Sequence, residues 1–210
     1  MGPAALPGGL YAITDSRLVP ADQLLEQVAA AIRGGARVIQ YRDKSAPAEQ
    51  RWQQAAALLG CCRVQGVPLI INDDIALASA IDADGVHLGE QDDTVQQARA
   101  QLGEAAIIGV SCYNRIERAT TAASAGADYV AFGRFFASNS KPDAVSAEPE
   151  LLQQARALMS LPIVAIGGIT PDNGASLIAA GADNLAAIHG VFGQADVTTA
   201  ARNYAALFTL

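Results

Sequence analysis

One phrase recurs along this chain: "GGARVIQYR", "DADGVHLG", "GADYVAFG" and "GADNLAAIH". Each puts small or acidic turn residues before a short apolar run that ends in polar residues or glycine. Stretches rich in Ala, Leu, Gln and Arg lie between, as in "ADQLLEQVAAAIRGG". There Leu24, Leu25, Val28 and Ile32 form an apolar stripe, and Gly34-Gly35 stop the helix. "LGEAAIIGVS" and "LPIVAIGGI" carry the same strand character from other turns. The expected strands are 9–15, 37–42, 67–72, 84–88, 106–111, 128–133, 162–166 and 184–189, each followed by a helix, the last near 196–208. Runs that are apolar on both faces and alternate with helices form parallel strands with right-handed crossovers. Eight such units in 210 residues fit a single-domain (β/α)8 TIM barrel over residues 1–210, with 1–8 as a flexible lead. A doubly wound open sheet shares this element order, because counting strands does not show closure. No "GxGxxG" follows the first strand, which weighs against dinucleotide binding.

A hydrophobic content of 51% is ample for one core, and no compositional break divides the chain. With 14 Lys+Arg against 21 Asp+Glu, the net charge of −7 argues against nucleic acid or an anionic membrane as partner. The N-terminus lacks a signal-peptide pattern, and no apolar run approaches the ~20 residues of a membrane span. Cys61, Cys62 and Cys112 are odd in number with two adjacent, which fits reduced thiols rather than a disulfide framework or zinc site. The expected location is the cytoplasm.

In a barrel of this type chemistry sits at the C-terminal tips of the strands. After the second strand Gln40, Arg42 and Lys44 stand at every second position, so an extended backbone points them to one side. In an acidic protein such a cluster fits a small anion. Arg offers a planar donor fork and Lys a point charge, while the Gln amide both donates and accepts, which suits a heterocycle. Asn72 and Asp73 end the third strand, and His87 and Asp92 follow the fourth. Asp73 and Asp92 could both be helix N-caps. Facing a basic cluster, they read better as a hard-cation pair, with Mg²⁺ completed by water and phosphate oxygens. His87, alone at its tip, reads as a hydrogen-bonded structural residue. "IGGI" and the helix start "TPDNGASLI" offer bare backbone N–H groups for a monophosphate. Segment 134–147 is long enough to be a lid, with Ser138, Ser140 and Lys141 as donors that close over an anion.

Taken together, "YAITD", "QYRDK", "INDD", "ADGVHLG" with Asp92, "IIGVS", "ADYVAFG" with a downstream Ser/Ser/Lys, and "VAIGGI" resemble thiamine phosphate synthases along essentially the whole chain. "QxRxK" is specific in this context, whereas "IGGI" is shared with many phosphate-binding barrels. The resemblance implies joining 4-amino-2-methyl-5-(diphosphooxymethyl)pyrimidine to 4-methyl-5-(2-phosphooxyethyl)thiazole with release of pyrophosphate. It further implies that Gln40, Tyr41, Arg42, Asp43, Lys44 and Asn72 hold the pyrimidine diphosphate, and that Asp73 and Asp92 hold Mg²⁺. Ser111 would lie against the pyrimidine. Ser138, Asn139, Ser140 and Lys141 would surround the thiazole phosphate and departing pyrophosphate, Ser111 and Lys141 being the catalytic pair. Gly168 with Ile188 and His189 would complete the thiazole phosphate cradle. The chain departs from the family pattern with "HLGEQD" for "HLGQED", serines for two threonines, Arg134 for proline and His189 for serine.

Two rivals share the barrel. A thiazole tautomerase handles one phosphate and has no use for a cationic comb or a metal pair, and a non-catalytic binder of phosphorylated ligands needs no leaving-group chemistry. Oligomeric state stays open, a homo-oligomer included.

Overall fold

The structure, a computed structural model, describes residues 6–90, 92, 94–137 and 145–209. Its strands are β1 (Gly9–Ile13), β2 (Ala36–Tyr41), β3 (Leu69–Asn72), β4 (Gly85–Leu88), β5 (Ile107–Tyr113), β6 (Tyr129–Phe132), β7 (Ile163–Ile166) and β8 (Asn184–Ala187). The intervening helices are α1 (Leu24–Arg33), α2 (Ala48–Val64), α3 (Ile75–Ile81), α4 (Val95–Leu102), α5 (Ile116–Ser124), α6 (Glu150–Leu158) and α7 (Pro171–Ala179). A short α8 (His189–Phe192) and α9 (Val197–Ala205) follow, and a 3-10 turn over Ala206–Phe208 is the last element. All neighbouring strands pair in parallel and in sequence order, and β8 returns to β1 with Leu10 opposite Leu185 and Ala12 opposite Ala187. That seam makes the sheet a closed (β/α)8 barrel rather than an open one.

Alternation along each strand feeds two cores. Tyr11, Ile13, Val38, Ile70, Ile107, Tyr129, Val164 and Ala186 fill the barrel interior. Their neighbours Leu10, Ala12, Ile39, Leu69, Ile71, Val86 and Leu185 face the helices. On α1 the buried face is Leu24, Val28 and Ala31, while Leu25 turns to solvent, so the apolar stripe is narrower than its spacing predicts. Cys62 and Cys112 are buried and Cys61 half-buried, all as free thiols.

The recurring "AD" of the sequence phrase has a structural cause. Asp84, Asp128 and Asp183 stand just before β4, β6 and β8, and each reaches back to the strand before. Their Oδ2 atoms accept from the N–H groups of Leu69 at 2.8 Å, Ile108 at 2.8 Å and Ile163 at 2.7 Å. Arg99 joins Asp128 at 2.7 Å, and Arg156 joins Asp183. Each Asp therefore satisfies a donor at the bottom of the barrel and sets the register of one strand pair. The segment expected as a loose lead is held from Leu6 onward. Leu6 is buried in the barrel interior, and Asn184 Nδ2 donates to the Pro7 carbonyl at 2.8 Å.

Candidate active site

A cavity of about 390 Å³ opens at the C-terminal ends of the strands. Period two places its lining: Ile13 on β1, Gln40 and Arg42 at the end of β2, Asn72 on β3, His87 on β4 and Ser111 on β5. All of these but Ile13 are polar, and they form one wall. The opposite wall, Ala131, Val164, Ile166, Ala186 and Ile188, is apolar. A cavity with one polar and one apolar wall suits a flat heterocycle with polar edges.

Of the expected β2 residues, Gln40 and Arg42 reach the cavity. Tyr41 and Asp43 do not, because the same alternation turns them outward. Tyr41 donates to Gln54 Oε1 on α2 at 2.6 Å, and Asp43 accepts from the N–H groups of Ser45 and Ala46 at 2.8 and 3.1 Å. Arg42 is oriented by β1: its N–H donates to Thr14 Oγ1 at 2.8 Å and its guanidinium faces buried Asp15 at 3.9 Å. Arg17, at 2.6 Å from Asp15, holds that carboxyl below its usual value despite burial. Neither Thr14 nor Asp15 stood out in the sequence except as the end of "YAITD".

Lys44, Asp73 and Asp92 gather beyond the cavity lining, one residue past Asn72. Lys44 Nζ lies 3.0 Å from Asp73 Oδ2. The Asp73 and Asp92 carboxyls contact each other, and Asp92 also accepts from the Gly89 N–H at 2.5 Å. Helix capping explains neither, for their neighbours perform it. Asp74 caps α3 by accepting from Leu77 N–H, and Thr94 caps α4 in a reciprocal pair with Gln97. Asp73 itself has φ 64°, a left-handed conformation that aims its side chain off the helix axis. Burial pushes the Asp73 carboxyl up, but its hydrogen bond to Asp92 and the Lys44 ammonium outweigh this and hold it below the usual range. Asp92 moves the other way, raised by burial and by the negative charge of Asp73. Of two carboxyls in contact, the second proton is harder to remove than the first, and a bound cation would ease its loss.

That donor set fits Mg²⁺. Two carboxylates freed from capping are hard oxygen ligands, and no cluster of three or more His, Cys, Asp or Glu ligands occurs among the described residues. A cation here would take its remaining ligands from water and substrate oxygens, as Mg²⁺ does.

Across the cavity, Gly167 and Gly168 follow β7 with φ 105° and 62°. A side chain on Gly168 would meet the Ala137 carbonyl at 2.3 Å, so the close approach of segment 134–137 demands glycine there. Asn173 Nδ2 donates to the Gly168 carbonyl at 3.1 Å and holds the turn open toward the cavity, where Ile188 and His189 also contribute lining. Ser138, Asn139, Ser140 and Lys141 lie outside the described residues. Both stems of their segment are held together, Arg134 N–H on the Val145 carbonyl at 3.2 Å and Ala147 N–H on that of Arg134 at 2.7 Å.

Sequence reasoning missed Tyr11 and Tyr129. Both point into the barrel by the same alternation that placed Gln40, and that parity was the available signal. Their hydroxyls meet at 2.8 Å. Gln40 Nε2 donates to Tyr11 at 2.9 Å, Tyr129 meets His87 Nδ1 at 2.9 Å, and His87 Nε2 meets Ser111 Oγ at 2.8 Å. His87 is thus bonded on both ring nitrogens. Arg118 fixes the β4 and β5 tips by donating to the Ser111 and Gly89 carbonyls at 2.7 and 2.8 Å.

Comparison with known proteins bears on the family. The sequence model of the family described as thiamine monophosphate synthase matches residues 10–191. The chain is 52% identical to the thiamine-phosphate synthase of Acidithiobacillus ferrooxidans, covering 97% of this chain and 95% of that one. It is 54% identical to that of Marinobacter nauticus, covering 88% and 83%. Among solved structures, thiamine phosphate pyrophosphorylase from Pyrococcus furiosus superposes with a TM-score of 0.87 at 35% identity, covering 96% of this chain and 95% of that one. A closed barrel, a lysine meeting a carboxylate pair, and sequence identity along nearly the whole length lead to one assignment: the chain belongs to the thiamine monophosphate synthase family.

Proposed function

We propose that this transferase condenses 4-amino-2-methyl-5-(diphosphooxymethyl)pyrimidine with 4-methyl-5-(2-phosphooxyethyl)thiazole, forming thiamine phosphate and pyrophosphate. The observation that carries the reading is the meeting of Lys44 with Asp73 beside Asp92, next to a cavity that Arg42 and Gln40 enter. Cations and a carboxylate pair side by side suit a diphosphate, whereas a single phosphate needs neither the pair nor the comb.

The aminopyrimidine lies between Gln40 and Ser111, with its diphosphate directed to Arg42 and Lys44. The C–O bond to the diphosphate breaks and its electron pair leaves with pyrophosphate. The resulting benzylic-type cation is stabilised by the electron-rich aminopyrimidine ring. The thiazole nitrogen then donates its lone pair to that carbon, completing the new C–N bond. No protein nucleophile takes part, so the side chains position the reactants and stabilise charge. Asp73 and Asp92 would hold Mg²⁺, which when bound neutralises charge on the diphosphate oxygens. The apolar wall accommodates the thiazole, and the Gly167-Gly168 turn with Ile188 and His189 takes its phosphate. Ser138, Asn139, Ser140 and Lys141 are assigned to both anions as hydroxyl, amide and ammonium donors. Among the described residues no helix is long and apolar enough to cross a membrane; a cytoplasmic setting is part of this proposal.

A pyrophosphate-release assay with both substrates and Mg²⁺ tests the reading. Release that requires all three supports it. Isomerisation of the thiazole alone would favour the tautomerase, and tight binding without turnover would favour a ligand-binding role.

A further inference from the structure

We propose that Tyr11, Tyr129 and His87 are positioning residues, forming a directional hydrogen-bond relay through the barrel that locks the donor and acceptor faces Gln40 and Ser111 present to the pyrimidine ring. The inference rests on the function proposed above and adds how this site would choose its ring.

The relay crosses five strands. It runs from Gln40 on β2 through Tyr11 on β1, Tyr129 on β6 and His87 on β4 to Ser111 on β5, with every link between 2.8 and 2.9 Å. It is also packed in place. The Tyr129 ring stacks on His87 at 5.5 Å and fills the space that Gly109 leaves, where a Cβ would come within 1.9 Å of Tyr129 Cζ.

Burial keeps both phenols protonated, so each has one proton to give. Tyr11 already accepts from Gln40 Nε2. If Tyr129 donated to Tyr11 as well, the Tyr11 proton would be left without an acceptor in the network, which a buried hydroxyl avoids. Tyr11 therefore donates to Tyr129, and Tyr129 to His87 Nδ1. The imidazole then carries its proton on Nε2 and gives it to Ser111 Oγ. Ser111, having accepted, turns its own proton to the ligand, while Gln40 keeps Oε1 as an acceptor. A flip of the Gln40 amide would have to reverse every link, so the two ends are coupled. An acceptor and a donor at separate points of the polar wall match a 4-aminopyrimidine, whose amino group donates and whose ring nitrogens accept. A 4-oxopyrimidine inverts the exocyclic group and the adjacent ring nitrogen together.

Two measurements test this. In the unmodified protein without substrate, the ¹⁵N spectrum of His87 is expected to show the Nε2–H tautomer; an Nδ1–H tautomer, or protons on both nitrogens, overturns the relay. In turnover assays with the 4-amino and 4-oxo pyrimidine diphosphates, Tyr129→Phe and Tyr11→Phe should each lower the kcat/KM preference for the amino substrate by about tenfold or more, because freed ends accept either pattern. A preference unchanged in whichever variant folds overturns the proposal, since a merely structural tyrosine would alter stability and leave selectivity alone. Failure of the function itself reads differently: the unmodified protein would release no pyrophosphate, while the His87 spectrum would still report the relay.

Discussion

Lys44 Nζ lies 3.0 Å from Asp73 Oδ2, so a cation from the second βα junction meets a carboxylate from the third. The two residues are far apart in the chain and belong to different repeats. Their meeting concentrates positive charge beside the Asp73–Asp92 pair, where the diphosphate of the proposed reaction would compete for it.

Replacing Lys44 tests that exchange. The Lys44 side chain is 63% exposed, so Lys44→Met should leave the melting temperature nearly unchanged. The KM for the pyrimidine diphosphate should rise about tenfold or more, since a charge-assisted contact is lost. An unaltered KM in steady-state assays would remove Lys44 from the diphosphate site.

Asp92 and Thr94 are two residues apart and should behave oppositely. Asp92→Asn should cut kcat by at least ~10²-fold and weaken the Mg²⁺ dependence, with little loss of stability. Thr94→Ala removes the α4 cap and should cost about 1 kcal/mol of stability with activity retained. Metal-titrated kinetics and chemical denaturation of the two variants separate the roles; a threefold or smaller effect of Asp92→Asn with Mg²⁺ dependence intact counts against it as a ligand.

Asp128 serves the barrel rather than the site. It holds the Ile108 N–H and Arg99, and both ion-pair side chains are largely covered. Asp128→Ala should destabilise the protein by about 3 kcal/mol, because it takes the carboxylate partner from a largely covered guanidinium and leaves a backbone donor without its acceptor. Denaturant midpoints should fall while kcat/KM at low temperature stays close to the unmodified value.

Asp15 predicts an acid limit. Its carboxyl is held below the ordinary 3.8, chiefly by Arg17 against the opposing effect of burial. A depressed folded value stabilises the native state fully above the unfolded value, and that contribution disappears as pH falls through the folded one. Asp15→Asn should therefore flatten the decline in urea midpoint below about pH 4. Parallel curves for the two proteins would show that Asp15 is not a source of the decline.

Much of the site was legible because barrel strands obey a rigid alternation. The spacing of Gln40 and Arg42 predicted that both enter one space, and they do. The same rule turns Tyr41 outward to Gln54, and applied to Tyr11 and Tyr129 it would have found them. Lys44 follows the strand end, so its meeting with Asp73 depends on loop path rather than on pleat. Capping was legible only as a choice: "NDD" contains two candidates, and the positive φ of Asp73 leaves Asp74 to cap α3.

Local chemistry along the chain was enough to define eight strand–helix units, the polar character of their tips and the family they belong to. Closure was a different matter, because the β1–β8 seam joins residues about as distant in the chain as two can be, and no local pattern encodes that pairing. The relay from Gln40 to Ser111 likewise exists only because a closed barrel brings five strands around one axis. Its members are ordinary tyrosines and a histidine until burial removes water as a partner and turns their polar atoms toward one another.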